Sequence, residues 1–121
     1  MKINLNDKSL WALVRHGDGI RRGPIYVSKN GDCIRIVYKK NKDGQVIQQA
    51  VDMAQNKTKE KEYRFISYID DDGKEKNAYI HRLVAEAFIK NPHPDQYDKV
   101  LHWDDDPSNN RCENLRWGRQ K

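Results

Sequence analysis

Apolar and polar positions alternate through IYVS and again through CIRIVY, on either side of Lys29-Asn30-Gly31-Asp32. Successive side chains of a strand point to opposite faces, so this period of two predicts strands from Ile25 to Ser28 and from Cys33 to Tyr38. Asn30-Gly31 between them supplies the positive φ angles of a tight hairpin turn. Asp43-Gly44 marks a second turn, from which Gln45 to Val51 continues the meander. Gln55 to Lys61 is uniformly polar and reads as an exposed loop. A further strand, Tyr63 to Ile69, runs into Asp70-Asp71-Asp72-Gly73, where turn chemistry is expected because the later ligands of a calcium-binding loop do not follow. The period then changes. In YIHRLVAEAFIKNPHP, Ile80, Leu83, Val84, Ala87 and Phe88 recur at helical spacing and form one stripe, and Asn91-Pro92 with Pro94 ends the helix. A Pro- and Asp-containing loop leads to the apolar pair Val100-Leu101 and then to His102.

With 121 residues, 36% apolar and 34% charged, the chain has material for one compact unit with a thin core and a heavily solvated surface. The pattern predicts an α+β fold: a small N-terminal antiparallel β-meander in a basic module over residues 1–60, then a helix and a short strand in a second segment, 61–121. The charge is uneven. Of 23 Lys and Arg against 18 Asp and Glu, residues 1–40 hold nine basic residues and three Asp, while the remainder is close to neutral. The N-terminal third is therefore where phosphate contacts are expected. Cys33 and Cys112 are far apart, with no second Cys or His at zinc-ligand spacing. MKINLNDKSLWALV lacks a long apolar core, and no apolar run reaches membrane-spanning length, so a reducing cytoplasm and no membrane partner are expected.

Three segments in order, YIHRLVAEAFIKNP, VLH and DPSNNRCENLRW, closely resemble the HNH homing endonucleases of phages and mobile introns, which share the ββα-metal fold. The upstream IYVSKNGDCIRIV is similar to the strand-rich module that often precedes such domains. The resemblance implies an HNH unit after residue 60 and a bacterial host carrying a phage or prophage. Phosphodiester hydrolysis needs a base to activate water and a divalent cation to stabilise the leaving oxygen. An ordinary imidazole, with a pKa of about 6.5, is mostly neutral at pH 7 and suits the first task. His102 is the candidate base. Asn114 resembles the family's middle Asn, which orients that histidine, and Asn109 and Asn110 are assigned to the loop backbone. His81, in HRLVA, is assigned to packing, and His93 and His16 to solvated loops.

The metal is where the pattern departs from the family. Members commonly place an Asp or Asn just before the base, and here Leu101 offers an alkyl chain. The last motif residue belongs about nine residues beyond Asn114, past Lys121, so an incomplete ββα-metal unit is expected. Asp104, Asp105 and Asp106 are the hard oxygen donors that a rearranged Mg2+ or Mn2+ site would use.

Three functions follow. The first is an HNH-derived binder of double-stranded DNA with weakened or lost hydrolysis, gripping phosphates through Arg21, Arg22, Lys29, Arg35, Lys39, Lys40, Arg116 and Arg119. The second is an active metal-dependent nicking endonuclease. The third is an anti-defence inhibitor, for example an anti-CRISPR protein, that uses the scaffold to occupy a host defence nuclease. Trp11, Trp103 and Trp117 are its candidate anchors, with core packing as their ordinary role. Apolar surface left by an incomplete unit would favour a homodimer.

Overall fold

A computed structural model describes residues 7, 9–15, 23–70 and 72–119. Arg21, Arg22 and His16 lie outside the described residues. The described chain is a strand-rich α+β arrangement with one α-helix. Strands β1 (Trp11–Arg15), β2 (Ile25–Ser28), β3 (Cys33–Lys40) and β4 (Val46–Asp52) form an antiparallel sheet in chain order. A second sheet contains β5 (Asn56–Lys57), β6 (Arg64–Ile69) and β7 (Glu75–Tyr79), followed at once by α1 (Ile80–Phe88). The hairpin β8 (Lys99–His102) and β9 (Leu115–Gly118) completes the fold.

Three hairpins repeat one design. Ser28-Lys29-Asn30-Gly31-Asp32, Asn41-Lys42-Asp43-Gly44-Gln45 and Asp70-Asp71-Asp72-Gly73-Lys74 each end their turn on a glycine with φ of 89°, 78° and 79°, respectively. In each, the glycine N–H donates to the carbonyl of the first residue, whose own N–H donates to the residue after the glycine. The first side chain closes the turn from inside. Ser28 Oγ, Asn41 Oδ1 and Asp70 Oδ1 each accept the N–H of the third and the fifth residue at 2.9–3.1 Å. In the first two turns only the glycine takes positive φ, so these are type I turns followed by a left-handed residue. The two-residue turn expected at Asn30-Gly31 needs positive φ at both positions, and Asn30 does not supply it.

Helix α1 buries Ile80, Val84 and Ala85, with Leu83 and Phe88 half-buried against the same core. Ala87, expected in the apolar stripe, is exposed. Ala85 is buried and His81 half-buried where Ala87 is not. The main core joins Ile25, Val27 and Cys33 of the first sheet to Ile66, Ile80, Val84, Val100 and Leu115. A single apolar cluster therefore spans both sides of residue 60. The β8–β9 hairpin is tied to the end of α1 by Trp117 Nε1, which donates to Ile89 O at 2.9 Å, and the residue before β8 is tied to the first turn of α1 by Arg82, which donates to Asp98 O at 2.9 Å.

The candidate nucleic-acid site

His102 ends β8, and its position is fixed from both sides in the chain. Its Nε2 lies 2.8 Å from Asn110 Oδ1, and Asn110 is 4% exposed. An amide oxygen only accepts, so in the neutral ring Nε2 carries the proton and Nδ1 keeps the lone pair. Asn110 is in turn held by the first hairpin. The Gly31 turn packs against the Asn110 Cβ and carbonyl, and Cys112 N donates to Lys29 O at 2.8 Å. The N-terminal sheet thus buttresses the residue that orients the histidine.

This arrangement exchanges the expected roles of two asparagines. Asn114 does not reach His102. Its Nδ2 donates to Asp104 Oδ1 and to Asn109 O, both at 2.9 Å, and its carbonyl accepts Trp103 N at 2.8 Å. Asn109 Nδ2 donates to Asp104 Oδ2 at 2.9 Å, and the Asp106 N–H donates to Asp104 Oδ1. These bonds to Asn109, Asn114 and the Asp106 backbone hold the Asp104 carboxyl down at about 2. Asp106 Oδ1 accepts both the N–H and the hydroxyl of Ser108, which lowers its pKa as well.

Those contacts decide whether the Mg2+ or Mn2+ implied by the resemblance fits. Both Asp104 oxygens are engaged in closing the loop, Asp106 Oδ1 accepts twice from Ser108, and Leu101 has no donor atom. Among the described residues no three His, Cys, Asp or Glu come together as a cation site. Asp105, with φ of 59°, faces the hollow beside His102 and brings one carboxylate. This donor set does not make a cage for a hard divalent cation.

The surroundings of His102 form a groove that the motifs did not reveal. Two adjoining hollows of about 410 and 440 Å3 have Lys61, Tyr63, Val100 and Leu101 in common in their walls. His102, Asp105 and Arg116 line the first, and His81, Arg82, Lys99 and Tyr79 the second. Aromatic rings floor it: His81 lies 5.2 Å from His102 and 5.1 Å from Tyr63, centroid to centroid. Burial, with the charges of His102 and Arg82 as smaller causes, pushes the His81 imidazole down to about 4, and its Nδ1 is buried without a hydrogen-bond partner.

Of the cations expected to contact phosphate, Arg116 lines the groove, and Arg119 is exposed just past β9. Lys39 and Lys40 are exposed at the far end of β3, and Lys29 sits half-buried in the first turn. Arg35 lines a separate 140 Å3 hollow with Tyr68 and Glu75. Lys61, Arg82 and Lys99 were not foreseen. Trp11 is buried and Trp117 half-buried, as core packing requires, but Trp103 is 62% exposed.

The chain is 50% identical over 38 residues to an uncharacterized HNH endonuclease of Acanthamoeba polyphaga mimivirus. That match covers 31% of this chain and 10% of the mimivirus protein, so the likeness is local. No protein-family model and no solved structure matches the chain. The likeness points to an HNH-type nuclease relationship confined to those 38 residues. No helix among the described residues is long and apolar enough to cross a membrane.

Proposed function

We propose that this chain is an HNH-derived DNA-binding protein that grips the phosphate backbone of double-stranded DNA in the groove around His102, with hydrolysis weakened or lost. One observation carries the reading: a histidine held by the buried Asn110 opens onto a groove rimmed by Lys61, Arg82, Lys99 and Arg116, while the neighbouring carboxylates close their own loop. Cations along the rim match the charged phosphates of a duplex backbone. The local likeness to an HNH endonuclease supports nucleic acid as the ligand.

Fluorescence anisotropy with a labelled duplex tests this. Arg82 is paired with Glu86 at 2.9 Å, so if Lys61, Lys99 and Arg116 each neutralise a phosphate, log K falls against log salt with a slope of about −2.7, a loss of about 40-fold between 50 and 200 mM. Replacing Lys61 and Arg116 by Ala reduces that slope by about two-thirds. A flat salt dependence refutes the reading.

A second reading, a Mg2+- or Mn2+-dependent nicking endonuclease, is favoured by the same local likeness and by the position of His102 in the wall of the groove. The two readings differ in whether strand cleavage needs metal and His102.

A further inference from the structure

We propose that Trp103 and Arg116 form a base-stacking element beside the His102 groove, so that this protein prefers locally unpaired DNA to intact duplex. The inference rests on DNA being the ligand and adds the conformation of DNA that is bound. Trp103 follows His102 directly and is 62% exposed, more than the exposed Tyr38 and Tyr79. Its backbone is fixed, because its N–H donates to Asn114 O at 2.8 Å in a loop closed by Asp104. The Arg116 guanidinium lies 4.4 Å from the ring centroid, on the strand paired with β8, and Arg116 also lines the groove with His102.

An indole held on rigid backbone loses little freedom on binding, and the Arg116 guanidinium over one face of the ring puts a positive charge beside the phosphate track, with the opposite face as the stacking face. The two features meet one chemistry, a base stacked on the indole with its own phosphate beside Arg116. In intact duplex each base already stacks on its neighbours and its face is covered. The indole can take a base only where the stack is open, as at a bubble, a nick or a single strand. The groove floor repeats the theme, with Tyr63, Tyr79, His81 and His102 in ring contact at 5.1–6.3 Å. Charge complementarity favours nucleic acid over an apolar protein surface as the occupant, since Lys61 and Arg116 flank the same opening.

The test uses the full chain with three fluorescein-labelled DNAs of one sequence: intact duplex, the same duplex with a short central bubble, and single strand. Wild type is compared with Trp103→Ala and Trp103→Phe, each checked by circular dichroism and thermal unfolding. Trp103→Ala is expected to lose about 5- to 150-fold in affinity for bubble and single strand, with less than about twofold change on duplex, and Trp103→Phe to keep most of the affinity. Intrinsic fluorescence is expected to quench on adding bubble DNA in wild type and to lose most of that quenching in Trp103→Phe.

Unchanged binding of all three DNAs by Trp103→Ala overturns the proposal, and so does an equal loss on all three. A self-association that Trp103→Ala abolishes while DNA affinities stay fixed assigns the indole to a protein contact and also overturns it. Wild type that binds none of the DNAs in a salt-sensitive way removes the underlying reading as well. Salt-sensitive binding without a preference for open DNA removes the stacking element alone.

Discussion

Replacing Gly31 by Ala probes how the first hairpin supports the site, with Gly44→Ala as its internal control. Both glycines hold left-handed backbone, with φ of 89° and 78°. An Ala in that region costs about 1–2 kcal/mol in backbone strain. Around Gly44 an added Cβ meets nothing within 4 Å, so strain is the whole effect there. At Gly31 the same Cβ lies 3.0 Å from Asn110 Cβ and 3.2 Å from Asn110 O. Asn110 then has to yield by a few tenths of an ångström, and overpacking of this kind adds about 1–3 kcal/mol. At roughly 4 °C per kcal/mol for a domain of this size, Gly44→Ala lowers Tm by about 4–8 °C and Gly31→Ala by about 8–20 °C. Because Asn110 Oδ1 holds His102 Nε2, Gly31→Ala also shifts the His102 ring resonances in two-dimensional NMR, and Gly44→Ala leaves them in place. Equal losses of Tm in the two variants, or His102 resonances indifferent to Gly31→Ala, would refute the coupling.

Other consequences are equally direct. The folded His81 imidazole titrates near 4, below the ordinary value of about 6.5. The unfolded chain therefore binds the extra proton first as pH falls, and stability present above about pH 6.5 is lost progressively down to about pH 4. His81→Gln flattens Tm against pH in that window, and an unchanged profile argues against a buried neutral His81. Asn114→Ala removes two bonds from the Asp104 loop, so the Asp104 carboxyl rises toward its ordinary range, read by side-chain NMR; a carboxyl that stays near 2 contradicts the assigned network. Ile66→Ala, at a fully buried position where both sheets meet α1, costs about 2–5 kcal/mol in chemical denaturation, and a cost below about 1 kcal/mol places the core elsewhere.

Some of this structure is legible in the sequence because the cause is local. Asn-Gly and Asp-Gly dictate left-handed residues wherever they stand, and an apolar period of two or of 3.6 needs only a few neighbours to be recognised. Strand β2 and helix α1 follow from those signals. Strand β7, with the sequence EKNAY, has no apolar alternation; it exists through backbone pairing with β6, which no local pattern records. Strands β1 and β9 are short and end in Arg15 and Gly118, and they too depend on partners. At the site, VLH and NNRCEN mark the histidine and the asparagines but not which amide reaches the ring. That choice is made by the Gly31 turn, nearly eighty residues earlier in the chain, which packs on Asn110. Lys61, Tyr63 and His81 reach the groove only through tertiary packing, and residue spacing carries no trace of it.

The central claim is that the groove around His102 and Asn110 holds DNA while Asp104 and Asp106 serve the loop. It is tested most directly by incubating the chain and its His102→Ala variant with supercoiled plasmid in magnesium, manganese or chelator, with a gel shift run in parallel. The account predicts a salt-sensitive shift and plasmid that stays supercoiled in every condition. Nicking that requires both a metal ion and His102 would contradict it.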